Sequence, residues 1–203
     1  MTQQPLTPDL QMLAAQGEQQ SFKKGTLIFK DGDAGDAIYI LLEGRVRAFG
    51  SAISGKEITY GYVLAGGYFG ELTLDGGNRS ANVEAIEPSL CAIVSNAQFE
   101  VFMQEHPKFA TEVLRTVISR ARHSTDNARN IALLDVYSRL KHTLEKLVPD
   151  LAIAVNITHA ELAADVGASR EMVSKLLKDL EVGGYIKVQS RQLSRLKALP
   201  ERW

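Results

Sequence analysis

The spacing of apolar positions changes character partway along the chain. From Ser21 to about Ser95, short apolar runs alternate with Gly and Asp: Thr26 to Phe29, Ala37 to Leu42, Val46 to Phe49, Ile58 to Val63, Ala81 to Ala85 and Leu90 to Val94. Turn residues divide them at Asp31-Gly32-Asp33 and Glu43-Gly44-Arg45, with Ser54-Gly55-Lys56 as a hairpin tip. The pattern predicts a compact antiparallel barrel or jelly roll rather than a βα repeat. After Pro107 the period becomes helical. Lys108 to Leu134 holds neither Gly nor Pro, and Val113, Val117, Ala121, Ala128, Ile131 and Leu134 fall near one stripe, interrupted by polar His123 to Asn127. Such a stripe fits pairing with a second copy of the chain, or a single long core helix.

Val136 to Leu147 reads as a further helix, Pro149 ends it, and Ala152 to Ile157 reads as a short strand. The stretch from Ile157 to Glu181 is the most telling. Thr158 and Glu161 have capping-box spacing, Leu162 and Val166 give a first short helix its apolar face, and Gly167 ends it. Ser169 caps a second helix, whose Val173, Leu176, Leu177 and Leu180 recur at helical spacing and must face inward. Arg170, Glu171, Ser174 and Lys175 are left pointing outward. Two short helices about a turn fit a helix-turn-helix, whose second helix enters the DNA major groove with Arg on guanine acceptors and Glu on the cytosine amino group. A helical hairpin with a solvated charged face is the alternative. Gly183 to Val188, followed by Gln192 to Ala198, reads as a hairpin wing.

At 203 residues the chain has room for one large or two modest domains. Its formal net charge of −1 argues against nucleic-acid binding by the whole surface, so any DNA contact must be local. A local surplus exists beyond Thr158, where Arg170, Lys175, Lys178, Lys187, Arg191, Arg195, Lys197 and Arg202 gather on the second helix and the tail. Cys91 is the only cysteine, which excludes an intrachain disulfide and a four-cysteine iron–sulfur centre. His106, His123, His142 and His159 show no ligand spacing, and no nucleophile, base and orienter are grouped. Neither a metal, a cofactor nor a catalytic residue is expected. The polar start, Met1 to Gln20, has no signal-peptide core, and no apolar run is of membrane-spanning length, so a cytoplasmic location without membrane contact is the expectation.

Within the β-rich region, Phe69-Gly-Glu-Leu-Thr-Leu-Asp-Gly-Gly-Asn-Arg-Ser-Ala81 gathers glycine, a carboxylate, an arginine and a hydroxyl. Gly70 lets backbone N–H groups approach an anion, Arg79 can hold phosphate oxygens with its planar fork, Ser80 adds a donor, and Glu71 can accept from a ribose hydroxyl. An ordinary Arg–Glu ion pair is the alternative. Together with the helix-turn-helix, this segment resembles the cyclic-AMP receptor protein/FNR family of transcription regulators, over essentially the whole chain.

The resemblance implies an α+β architecture: an N-terminal cyclic-nucleotide-binding jelly-roll barrel over 1–106, a long dimerisation helix over 107–134 and a C-terminal winged helix-turn-helix over 135–203. Gly70, Glu71, Leu72, Arg79, Ser80 and Ala81 fall on the family's phosphate-binding cassette. Ile131-Ala-Leu-Leu-Asp-Val-Tyr-Ser-Arg139 resembles the segment joining helix to DNA domain. Counted back from it, Ser124 and Thr125 fall on two hydroxyl positions that contact adenine, one from each subunit, and Arg120 on an arginine that pairs with the ribose-binding glutamate. Thr158, Ser169, Arg170, Glu171, Ser174, Lys175, Lys187 and Arg191 form the implied DNA surface. The implied partners are cyclic AMP as effector, a second copy of the chain, a palindromic double-stranded operator with TGTGA-like half-sites, and RNA polymerase. Departures stand beside these matches. The loop from Leu72 to Arg79 is short for the family, Val148-Pro-Asp-Leu-Ala truncates the polymerase-contacting loop, Phe22 replaces a basic residue, and Lys175 replaces an arginine. A regulator answering cyclic di-GMP, cyclic GMP or no effector, and a regulatory subunit acting on a protein, remain as alternatives.

Overall fold

The computed structural model describes residues 5–53, 55, 57–151, 153–189 and 192–203. Ser54 and Lys56 of the expected hairpin tip, Ala152 and the expected DNA-contact residue Arg191 lie outside the described residues. The chain forms two compact units. One runs to Gly50 and continues over Tyr60–Arg122; the other comprises Ser51–Thr59 and His123–Trp203.

The first unit begins with a short helix, α1 (Pro8–Ala14), which Thr7 caps and Pro8 starts. Eight strands follow: β1 (Glu18–Phe22), β2 (Leu27–Phe29), β3 (Ala37–Glu43), β4 (Arg45–Ser51), β5 (Glu57–Leu64), β6 (Tyr68–Phe69), β7 (Asn82–Ala85) and β8 (Ser89–Ser95). They make two four-stranded sheets, ordered β1-β8-β3-β6 and β2-β7-β4-β5. Phe22, Leu41, Val46, Phe69, Val83, Ala85 and Cys91 form one core cluster, drawn from strands of both sheets. This is the expected jelly-roll architecture. Every expected strand is present, and β1 and β6 are additions.

A helix that the spacing did not announce, α2 (Asn96–Glu105), leaves β8 directly. Ser95 accepts from the Gln98 N–H at 3.2 Å while the Gln98 side chain accepts from the Ser95 N–H at 2.8 Å, closing a capping box. Then α3 (Pro107–Leu133) runs for 27 residues. Phe99 and Phe102 of α2 and Phe109 and Val113 of α3 pack with Ile38, Ile40, Ala92 and Val94 of the sheet. The expected stripe therefore divides. Val113 is committed to the core of its own unit, while Leu114 and Ile118 are 58% and 44% exposed. Neighbours on a helix point about 100° apart, so a face that buries Val113 turns Leu114 outward. The outward apolar positions run Leu114, Ile118, Ala121, Ala128, with Thr125 completing an alternating spacing of four and three, a heptad seam. Leu134 falls just beyond the helix.

In the second unit, Asp135 caps α4 (Val136–Leu147), its carboxylate accepting from the Ser138 N–H at 2.7 Å. That hydrogen bond holds the Asp135 pKa below the usual carboxylate range. Strand β9 (Ala154–Asn156) leads to α5 (His159–Val166), α6 (Arg170–Val182), β10 (Ile186–Gln189) and β11 (Gln192–Arg195). The strands form one sheet, ordered β10-β11-β9. Leu140, Leu144, Leu162, Val173, Leu177, Leu180 and Ile186 make the core, each essentially without solvent exposure. Arg139 ties the end of α3 to α5, donating to the carbonyls of Leu134 at 2.7 Å and Val166 at 2.8 Å. The chain ends on the same core. Tyr137 donates to the Pro200 carbonyl at 2.7 Å, and Trp203 stacks on Tyr137 with ring centroids 5.9 Å apart.

Candidate functional site

Glu71 opens a 3-10 turn, Glu71–Asp75, that Gly70 sets up with φ at 91°, a left-handed conformation costly for any other residue. The turn buries the Glu71 carboxylate, and an isolated buried charge would be untenable. Arg120, near the end of α3's portion in this unit, supplies the counterion. Its Nη1 lies 2.6 Å from Glu71 Oε1, and its Nη2 donates to the Tyr68 carbonyl at 2.6 Å. The pair that the sequence placed in prospect is thus made within one chain.

Arg79 is buried beside this turn, 5% exposed. Its Nη1 donates to the Gly70 carbonyl at 3.1 Å and its Nη2 to the Ala37 carbonyl at 2.8 Å, while the guanidinium lies 4.3 Å above the Phe29 ring. Its Nε is buried with no protein partner. Space for the fork comes from two glycines: a β-carbon at Gly70 would stand 2.6 Å from Nη1, and one at Gly35 would stand 2.8 Å from Nε. Burial lowers the guanidinium pKa from its ordinary value, yet an arginine stays charged. Carbonyl oxygens orient that charge without neutralising it. A buried cation so held, with a donor to spare, is suited to an anion such as a phosphate. Around it Leu72 and Ser80 are exposed and Ala81 is half-buried. Thr73 and Asn96 brace the turn, Thr73 donating to the Gly70 carbonyl at 3.0 Å and Asn96 to the Thr73 hydroxyl at 3.3 Å.

Ser124 and Thr125 lie farther along α3, in the second unit, and both are exposed. There too the helix-turn-helix has the expected caps. Thr158 Oγ1 accepts from the Glu161 N–H at 3.1 Å and Glu161 accepts from the Thr158 N–H at 2.7 Å, closing the expected capping box. Gly167 closes α5 with φ at 63°, and Ser169 caps α6 by accepting from the Met172 N–H at 3.2 Å. From that cap Arg170, Glu171 and Lys175 stand exposed. Hydrogen bonds from its own backbone N–H and from the Ser169 side chain hold the Glu171 pKa below the usual range. Ser174 is different. It is half-buried, its hydroxyl 2.9 Å from Nδ1 of His159 at the start of α5. Lys187 is exposed on β10.

Comparison with known proteins matches these two surfaces separately. Residues 19–106 match the cyclic nucleotide-binding domain family, and residues 132–201 the Crp-like helix-turn-helix domain family. The cAMP-activated global transcriptional regulator CRP of Pasteurella multocida is 32% identical over 168 residues, covering 78% of this chain and 79% of that protein. The chain belongs to the cyclic-AMP receptor protein/FNR family of transcription regulators. The cyclic AMP receptor protein of Thermus thermophilus is 30% identical, covering 84% of this chain and 80% of that protein. Among solved structures, the c-di-GMP responsive global regulator CLP of Xanthomonas campestris superposes with a TM-score of 0.85 at 22% identity, covering 93% of this chain and 98% of that one. At that identity the likeness concerns the fold.

Residues that sequence reasoning passed over stand close to the family's two surfaces. Gly35, Phe29 and Ala37 shape the seat of Arg79, and His159, read as a solvated histidine, is in contact with the second helix. The Gly32-Asp33 turn carried a faint signal for the first set: the Asp33 carbonyl accepts from the Arg79 N–H at 2.8 Å, which puts that turn against the cassette. His159 carried none, because its partner is fifteen positions away on another helix. Among the described residues no cluster of three or more metal-ligating side chains occurs, and no helix is long and apolar enough to cross a membrane.

Proposed function

We propose that this regulator binds cyclic AMP in its N-terminal unit and, as a homodimer, a palindromic operator through its helix-turn-helix. The observation that carries the effector half is the seat of Arg79: a buried, un-neutralised guanidinium with a spare N–H, beside a buried carboxylate fixed by Arg120. A cyclic phosphate would meet Arg79 and Ser80, and the ribose hydroxyl would meet Glu71. Relatives at 30% identity or more that are named for cyclic AMP support the choice of base. The dimer half rests on the exposed heptad seam of α3, a face that a soluble helix seldom leaves open. Two copies related by a two-fold axis would present two copies of α6 to half-sites about one helical turn apart. Arg170 would read guanine, Glu171 cytosine, and Lys187 the phosphates. Such a protein works in the cytoplasm, where RNA polymerase is the further partner.

One observation favours a second reading. Both terminal nitrogens of Arg79 already give one N–H to a carbonyl, so a phosphate meets a fork that is partly engaged. An effector with a different phosphate arrangement, such as cyclic di-GMP, fits this better. Calorimetric titration with cyclic AMP, cyclic GMP and cyclic di-GMP separates the readings. Heat with cyclic AMP at micromolar ligand is the expected result; silence at millimolar cyclic AMP overturns the assignment.

A further inference from the structure

The contact between His159 and Ser174 changes what the outward face of α6 can do. Ser174 sits in the half of α6 that faces a groove, where a free hydroxyl would be available to a base edge. It is not free: its Oγ lies 2.9 Å from His159 Nδ1. His159 occupies the first turn of α5, and together with Thr158, Ala160, Ile157, Arg170 and Val188 it lines an open cavity of about 350 Å³. That cavity lies between the start of α5, the start of α6 and the wing, with the imidazole and the Arg170 side chain on the same opening. Thr158 Oγ1 is held in place there by accepting from the Glu161 N–H in the capping box.

We infer that His159 is a DNA-backbone contact and that Ser174 is its positioning residue rather than a reader of bases. The chemistry fixes the proton positions. A phosphate oxygen only accepts, so the nitrogen facing it must carry hydrogen. In a neutral imidazole that requires Nε2 to be protonated and Nδ1 to accept, and the Ser174 hydroxyl, able to donate as well as accept, can give its hydrogen to Nδ1 in that tautomer. The serine thus holds the ring's orientation for a partner that arrives from outside. Base selection then falls to Arg170, Glu171 and Lys175, and the exposed Met172 beside them offers an apolar surface to a thymine methyl.

The role rests on the DNA-binding reading above. Its test uses the full-length protein, a palindromic duplex with TGTGA half-sites and a random duplex of equal length, at one fixed salt concentration. His159→Ala and Ser174→Ala should each weaken both duplexes by the same factor, about three- to tenfold for one hydrogen bond. The double variant should be no weaker than His159→Ala, and Ser174→Thr, which keeps the hydroxyl, should restore most of the loss. His159→Gln repeats the test with a side chain that can still bond Ser174, in case the alanine variant melts early. Multiplying losses in the double variant, a changed preference at one base pair for Ser174→Ala, or wild-type affinity in both single variants would each overturn the role. If the wild-type protein binds neither duplex, it is the DNA-binding reading that fails.

Discussion

Arg120 Nη1 stands 2.6 Å from Glu71 Oε1, joining the long helix α3 to the glycine-bounded turn of the nucleotide cassette. The two partners are unequal: the Glu71 side chain is 3% exposed and that of Arg120 37%. The carboxylate depends on the arginine more than the reverse. Removing Arg120 strands a buried charge, whereas removing Glu71 releases a guanidinium that can turn to water.

Arg120→Ala should therefore destabilise the barrel by about 2 kcal/mol, below the range for fully buried pairs because Arg120 is partly solvated. Glu71→Gln should cost less, and adding it to Arg120→Ala should recover part of the loss. Thermal or urea unfolding of the three variants measures this. Equal costs for both single variants would show that the carboxylate is not the dependent partner.

The glycines around Arg79 make a second expectation. Gly70→Ala asks a side chain to adopt φ of 91° and to share space with Arg79 Nη1, 2.6 Å away. A stability loss above about 1 kcal/mol is expected from the backbone alone. Arg79→Leu should lower cyclic-nucleotide affinity by about 2 to 3 kcal/mol, the range for hydrogen bonds to charged groups. Calorimetry on both variants checks the pair; unchanged affinity in Arg79→Leu removes the phosphate from that seat.

Leu114 and Ile118 are exposed in the single chain, so changing them should leave folding intact while abolishing assembly. Leu114→Asp with Ile118→Asp is expected to sediment as a monomer that still unfolds cooperatively. A persistent dimer would place the two-fold interface elsewhere.

Much of this architecture is legible in the sequence, for reasons that also explain what is not. Strands β3, β4 and β8 announce themselves because buried positions recur at close intervals along them. Strand β1 does not, since only Phe22 at its end is buried, and β6 is two residues long. The helices of the DNA unit were plain because their caps are local: Thr158 with Glu161, Ser169 with Met172, Gly167 at the turn. The same local signal was present at Ser95 and Gln98, but it follows a strand without a break. In α3, apolar spacing alone does not say which face meets the barrel: Val113 and Leu114 are adjacent apolar positions, and only packing buries the first and leaves the second exposed. The cassette residues could be named from chemistry, whereas the carbonyls of Gly70 and Ala37 that aim Arg79 are backbone groups with no sequence signature.

Alkaline pH should weaken each unit through its own buried group. Burial pushes the Cys91 thiol in the barrel up to about 12, and burial likewise pushes the Tyr137 phenol in the DNA unit up to about 12. Both are raised above their unfolded values, so the unfolded chain releases its protons first and stability falls as pH rises. The contribution is complete below about pH 9 for Cys91 and about pH 10 for Tyr137, and is lost progressively toward about pH 12. Cys91→Ala and Tyr137→Phe should each flatten the fall in melting temperature over that window. If both variants keep the wild-type slope, other groups govern it.

The central claim is that a cyclic nucleotide held by the barrel changes how strongly the helix-turn-helix holds DNA, with Ser124 and Thr125 on α3 as the link. The direct measurement is fluorescence-anisotropy titration of the palindromic duplex, with and without saturating cyclic AMP, at one salt concentration because salt alone shifts such affinities strongly. Wild-type protein should gain roughly 5- to 150-fold in affinity on adding the nucleotide, the span of ordinary coupling energies. Ser124→Ala and Thr125→Ala should lose most of that gain while still binding the nucleotide through Arg79. A wild-type affinity indifferent to cyclic AMP, or both variants keeping the full wild-type ratio, would contradict the account.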